Sequence, residues 1–140
     1  MPTLFTRIID GELPGTFVWR DSEVVAFLSI QPVVAGHTLV VPRAEVDHWI
    51  DLDPGLSAHV FDVARTIGRA HADAFPGTRV GLLIAGLEVP HAHVHVIPIN
   101  SEADLHLSRA PAPVDAARLD APAEAIRAAL RARGASGVSV

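Results

Sequence analysis

The 140 residues suffice for one domain built around a single sizeable core. With 49% apolar and 19% charged residues the chain is globular rather than disordered, and no apolar run approaches the ~20 residues that span a bilayer. A formal net charge of −5 with no run of basic residues argues against nucleic acid as a partner, but not against a small anion held by backbone N–H groups and histidines.

There is no cysteine, which excludes disulfides, thiolate metal sites and a cysteine nucleophile. No basic segment followed by an apolar one opens the chain, so the expected location is cytoplasmic, and no internal repeat is visible.

In chain order, residues 3–9 place Phe5, Ile8 and Ile9 on one side of a short helix, broken by Gly11-Glu12-Leu13-Pro14-Gly15. Residues 16–20 and 24–28 read as two strands joined at Asp21-Ser22, an antiparallel hairpin. A third strand, 37–41, follows the Ala35-Gly36 turn and stops at Pro42, and 45–50 suggests one or two helical turns. Asp53 as N-cap and Pro54 at the first helical position open a long helix with a stripe of Leu56, Val60, Val63, Ala64, Ile67 and Ala74, closed by Pro76-Gly77. His59 and His71 on this helix read as ordinary partly exposed or hydrogen-bonded residues.

Residues 78–85 form a fourth strand and 91–97 a fifth, ended by Pro98. Residues 101–119 read as loop, 122–133 as a last helix with Gly134 as its cap, and 135–140 as a loose tail. The sum is an α+β domain with a mostly antiparallel five-stranded sheet, one long helix and short flanking helices. Its catalytic core is expected within 1–100, with 101–140 an extension of the same domain.

The run His91-Ala92-His93-Val94-His95-Val96-Ile97 stands apart. On a strand its three histidines share one face and Ala92, Val94 and Val96 the other. The outer two histidines would lie ~13 Å apart at ~3.3 Å per residue, so the three do not easily close on one metal. Two neighbours would need Glu45, His37 or an aspartate to complete a set. A solvated polar face is a second reading, although threonine, lysine, glutamate and serine fill such faces more often. The third is chemical. A neutral imidazole carries one lone pair and one N–H at a reference pKa of ~6.5. One ring can therefore attack phosphorus while its neighbours donate to the phosphate oxygens or the leaving group.

These residues resemble the His-φ-His-φ-His-φ-φ signature (φ, apolar) of the histidine triad (HIT) family. The stretches Phe5-Thr6-Arg7-Ile8-Ile9-Asp10-Gly11-Glu12-Leu13-Pro14, Val24-Val25-Ala26-Phe27-Leu28, Gly36-His37 and Leu39-Val40-Val41-Pro42-Arg43 are similar to it in the same order. The resemblance implies a HIT-like fold, a homodimer, no cofactor and no metal. It also implies nucleotidyl hydrolysis or transfer at the α-phosphate of a nucleoside phosphoramidate, dinucleoside polyphosphate or related nucleotide conjugate. His93 would attack and carry the nucleotide covalently. His95 would contact the phosphate or leaving group, His91 would belong to the supporting network, and His37 would be the fourth active-site histidine. Phe5, Ile8, Leu13, Phe27 and Ile30 match positions that line the base pocket.

Ser29 stands where many members hold the ribose hydroxyls with Asp or Asn, and Ala35 replaces a common proline. Leu87 takes a glutamine position beside Gly86, whose backbone can approach a phosphate, and Glu88 takes the place of a hydroxyl. A nucleotide-binding protein with little turnover is the alternative these departures support, and a metal-dependent hydrolase is a third.

Overall fold

The strands Val24–Leu28 and Thr38–Pro42 are buried at every position, so both faces of the sheet are covered, whereas the helix Pro54–Ala74 buries a single stripe. The computed structural model describes residues 1–139. Its elements are α1 (Leu4–Ile9), β1 (Phe17–Arg20), β2 (Val24–Leu28), β3 (Thr38–Pro42), α2 (Pro54–Ala74), β4 (Arg79–Leu83), β5 (Val94–Ile99) and α3 (Asp120–Ala132). The strands form one antiparallel sheet in the order β1-β2-β3-β5-β4, the α+β architecture expected. Among the described residues no helix is long and apolar enough to cross a membrane.

β2 shows why both sheet faces fill. Val24, Ala26 and Leu28 point into a large core under α2 and α3, while Val25 and Phe27 join Phe5, Phe17, Leu39 and Val41 in a smaller core on the opposite face. α2 begins where Asp53 accepts from the Gly55 N–H at 3.1 Å with Pro54 in the first turn. Val60, Val63, Ala64, Ile67 and Ala70 then form its buried stripe. α3 presents Ala123, Ile126 and Leu130 to the same core, and each large aliphatic side chain contributes about 1.5–3 kcal/mol by burial. A helix of 13 residues would be marginal alone, so this packing holds it.

Several boundaries differ from expectation. The ladder of β5 begins at Val94, not His91, because the backbone before it is used elsewhere. Ala92 N–H donates to the Val46 carbonyl at 2.7 Å, and the His91 carbonyl accepts from a side chain. Pro98 does not end the strand, which runs to Ile99. β3 pairs only as far as Val96, and beyond that β5 has an open side where a proline is tolerated. Within 45–50 there is only the start of one 3-10 turn, Trp49–Asp51. The 101–119 loop contains three such turns, Glu102–Leu105, Leu107–Arg109 and Ala116–Leu119. α3 starts two residues earlier than expected, at Asp120.

The tail is not loose over its described part; Val140 lies outside the described residues. β1 is an edge strand with unpaired backbone groups, and the tail pairs with them. Arg20 N–H donates to Gly137 O at 2.8 Å and Ser139 N–H to Val18 O at 3.0 Å, with Val138 bridged to Trp19. Gly137 lies against the Trp19 indole, where a Cβ would overlap the ring. Gly137→Ala is therefore expected to lower stability in urea unfolding by about 1–3 kcal/mol. Exposed Ser136→Ala should stay within about 0.5 kcal/mol. Equal effects would show that the tail does not dock.

Candidate active site

The β3–β5 register sets Leu39 opposite His95, which places the histidines on the face of the smaller core. His37 enters β3 from a turn whose Gly36 has φ +94°, with the Phe75 ring 2.6 Å from where a Cβ would stand. Only glycine meets both conditions. His37, His91, His93 and His95 are all buried, so the solvated-face reading does not hold.

A buried neutral imidazole needs one donor and one acceptor, and backbone groups identify which nitrogen holds the proton. His91 Nε2 lies 2.7 Å from the Pro42 carbonyl and must donate; its Nδ1 accepts from the Thr3 hydroxyl at 2.6 Å. His93 Nδ1 lies 2.7 Å from the His91 carbonyl and must donate, which leaves the lone pair on His93 Nε2. Val33 N–H donates to His37 Nδ1 at 3.1 Å, so His37 carries its proton on Nε2. That N–H donates to His95 Nδ1 at 2.8 Å, and the His95 proton sits on Nε2. The outcome is two adjacent rings of opposite character, 4.9 Å apart between centroids: a lone pair on His93 and an N–H on His95.

Burial keeps these rings neutral. It lowers His37 to about 4, with the nearby His93 adding to the effect, and lowers His95 to about 3, with His37 and His93 contributing. His93 is also held below its ordinary value by burial, partly offset by the His91 carbonyl. A neutral ring with a fixed lone pair can attack, and a neutral N–H can support a phosphate oxygen.

The remaining candidate residues divide into three groups. Phe5 stands edge-on to His93 at 4.9 Å and to His91 at 5.7 Å, and packs against Phe27 at 5.6 Å; Ile8, Ile9 and Val89 surround this cluster. Gly86 lines a cleft of about 220 Å³ together with His93, Asp47, His48 and Trp49. Leu13 and Ile30 stay outside the apolar cluster: Leu13 is half-buried after α1, and Ile30 is exposed with its carbonyl accepting from Val114 N–H at 2.8 Å. Ser29 is half-buried with Oγ accepting from Gln31 N–H at 3.1 Å. Glu88 is exposed, as is Leu87.

Sequence reasoning missed Thr3, which caps α1 through Thr6 N–H at 3.1 Å and also holds His91; Glu45, considered only as a metal ligand, instead accepts from Thr3 N–H at 2.9 Å. The helix-capping pattern signalled the first of these tasks but not the second. It also missed the Trp49 wall. His59 is half-buried and pairs with Asp21 at 2.8 Å, and His71 is wholly buried with its Nε2 hydrogen-bonded to the Thr38 hydroxyl at 3.1 Å.

Among the described residues no three histidine, aspartate or glutamate side chains are grouped to hold a metal ion. His93 Nε2 alone among the four rings presents a lone pair without a partner, so the donor set as hydrogen-bonded does not fit a metal.

Known proteins resemble this chain in sequence and in fold. The chain is 34% identical over 106 residues to "Protein hit" of Bacillus subtilis, covering 72% of this chain and 73% of that one. It is 32% identical over 85 residues to a bis(5'-nucleosyl)-tetraphosphatase [asymmetrical] of Schizosaccharomyces pombe, covering 57% of this chain and 47% of that one. A crystal structure of a zinc-bound histidine triad family protein from Mycobacterium smegmatis superposes with a TM-score of 0.77 at 25% identity, covering 94% of each chain. The HIT domain family model matches residues 10–102, and the chain belongs to the HIT family.

Proposed function

We propose that the protein is a nucleotidyl hydrolase or transferase acting at the α-phosphate of a nucleotide conjugate, a nucleoside phosphoramidate or dinucleoside polyphosphate. The observation that carries this reading is the lone pair on His93 Nε2, fixed by donation from Nδ1 to the His91 carbonyl. In the proposed reaction Nε2 forms a bond to phosphorus as the bond to the leaving group breaks. The His95 Nε2–H donates a hydrogen bond to the developing charge, and the leaving group takes its proton from solvent water, which regains one when water opens the nucleotidyl-His93. Water then attacks the nucleotidyl-His93, releasing the nucleotide and restoring the lone pair. Phe5, Phe27 and Ile8 form an apolar floor suited to a base, with Leu13 and Ile30 further out, and Gly86 offers backbone to the phosphate. The tetraphosphatase relative supports the class of chemistry.

Ser29 favours a second reading, nucleotide binding with little turnover, because its oxygen already accepts the Gln31 N–H and it carries no charge for the ribose. Glu88, exposed two residues after Gly86, adds a carboxylate that would not favour an anion. Calorimetric nucleotide affinity without a catalytic rate would favour this reading. A metal-dependent route finds support only in the zinc-bound relative, and elemental analysis of the purified protein tests it.

Incubation with adenosine 5′-phosphoramidate should give the nucleotide and a mass adduct on His93. In His93→Ala turnover should fall at least about a thousandfold with the circular dichroism spectrum unchanged. Full activity in that variant would remove His93 from the mechanism.

Protonation abolishes the His93 lone pair, so kcat/KM should be flat from pH 8 to its ordinary value near ~6.5 and fall only below it. An acid limb centred at or above 6.5 contradicts this. Stability follows the same sign. His37 and His71 at about 4 and His95 at about 3 take up protons later than in the unfolded chain. The unfolding free energy should therefore be full above pH ~6.5 and decline as pH falls from there toward 4. A midpoint constant over that window would show that these rings are not buried neutral.

We also propose a homodimer. β4 has an open side in the sheet and carries exposed Leu82, with exposed Leu87 just beyond. Light scattering should give twice the 14.8 kDa chain mass, and Leu82→Glu should shift it to the monomer. A monomeric wild type would refute this.

A further inference from the structure

Among the described residues His71 is the one fully buried histidine that the proposed chemistry does not use. It lies in the last turn of α2, on the helix side of the sheet, away from the triad. Its Nδ1 has no hydrogen-bond partner, a destabilising arrangement inside a core. A leucine of similar volume would remove that unmet nitrogen, so stability does not explain the histidine.

Its other nitrogen does. The Thr38 hydroxyl donates to the Gly36 carbonyl at 2.7 Å, so the oxygen presents a lone pair to the ring, and His71 Nε2–H donates into it at 3.1 Å. One turn on, Phe75 packs edge-on against His71 at 5.7 Å and covers Gly36. Two side chains from the end of α2 therefore bear on residues 36–38, which carry His37 into the sheet. The turn is closed by His37 N–H donating to the Val34 carbonyl at 3.2 Å. It presents the Val33 N–H that keeps the His37 proton on Nε2. Movement of this turn removes the group that orders the protons along His37 and His95.

We propose that His71 is a positioning residue: through Thr38 it holds the 33–38 turn, so that Val33 keeps His37, and His37 keeps His95, in the Nε2–H form. The inference rests on reading His95 as the donor at the reacting phosphate, but its structural half is testable without any substrate.

The test uses the full chain with ¹⁵N-labelled histidine, comparing wild type with His71→Leu, Thr38→Val and His71→Gln. The glutamine amide can return a donor near the Nε2 position. Long-range ¹H–¹⁵N spectra should show single tautomers at His37 and His95 in wild type. In His71→Leu and Thr38→Val both tautomers should appear at these two rings, with His91 and His93 unchanged, and His71→Gln should restore the wild-type pattern. With adenosine 5′-phosphoramidate, kcat in the leucine variant should fall on the order of tenfold with KM unchanged, while the thermal midpoint holds or rises. The double variant should lose no more than either single one.

Wild-type tautomers at His37 and His95 in both His71→Leu and Thr38→Val overturn the proposal. So does a simultaneous change at all four rings, which marks general loosening, or failure of glutamine to restore the pattern. If wild type turns over no probe while the tautomers respond as described, the positioning stands and the catalytic reading fails.

Discussion

A buried imidazole that stays neutral has one proton and one lone pair, and each needs a partner. The histidine face of the sheet is organised by meeting that condition for four rings with fixed backbone groups: the carbonyls of Pro42 and His91 and the N–H of Val33. Once those three are in place, no choice of tautomer is left. A lone pair emerges on one ring and an N–H on its neighbour, without any charged side chain. Because backbone groups set the pattern, the chemistry depends directly on sheet register and turn shape.

The sheet supplies both kinds of control. β3 delivers the Pro42 carbonyl at its end and His37 at its beginning, so one strand constrains His91 from one side and His95 from the other. Its neighbour β5 starts one residue after His93, which frees the His91 carbonyl from the ladder to accept the His93 ring. A triad wholly inside a regular strand would have that carbonyl committed elsewhere. The departure from strand pairing is thus what gives His93 its orientation.

The parts legible in the sequence are those written in residue type. Asp53-Pro54 and the apolar stripe after them specify α2, and the unbroken apolar run at 24–28 suits a strand buried on both faces. The three histidines at spacing two are unusual enough to point to chemistry. The missed parts depend on partners distant along the chain or on atoms common to every residue. Pro98 is tolerated because β3 has stopped pairing two residues earlier, which its own neighbours do not reveal. The tail looks featureless, yet it pairs with β1 because that strand has no other neighbour on that side. Thr3 and His91 are 88 residues apart, and a carbonyl or an N–H leaves no signature in composition.

Thr3 carries a consequence of its own. α1 has only six residues, too few to persist as an isolated helix in water. The hydroxyl that caps it is the same one that meets His91, and its first aromatic, Phe5, leans on His91 and His93. Docking of α1 and completion of the histidine cluster are therefore a single cooperative event. A molecule whose first helix has peeled away leaves His91 Nδ1 without its donor and uncovers the His91 and His93 rings, while the backbone partners of the other rings stay in place.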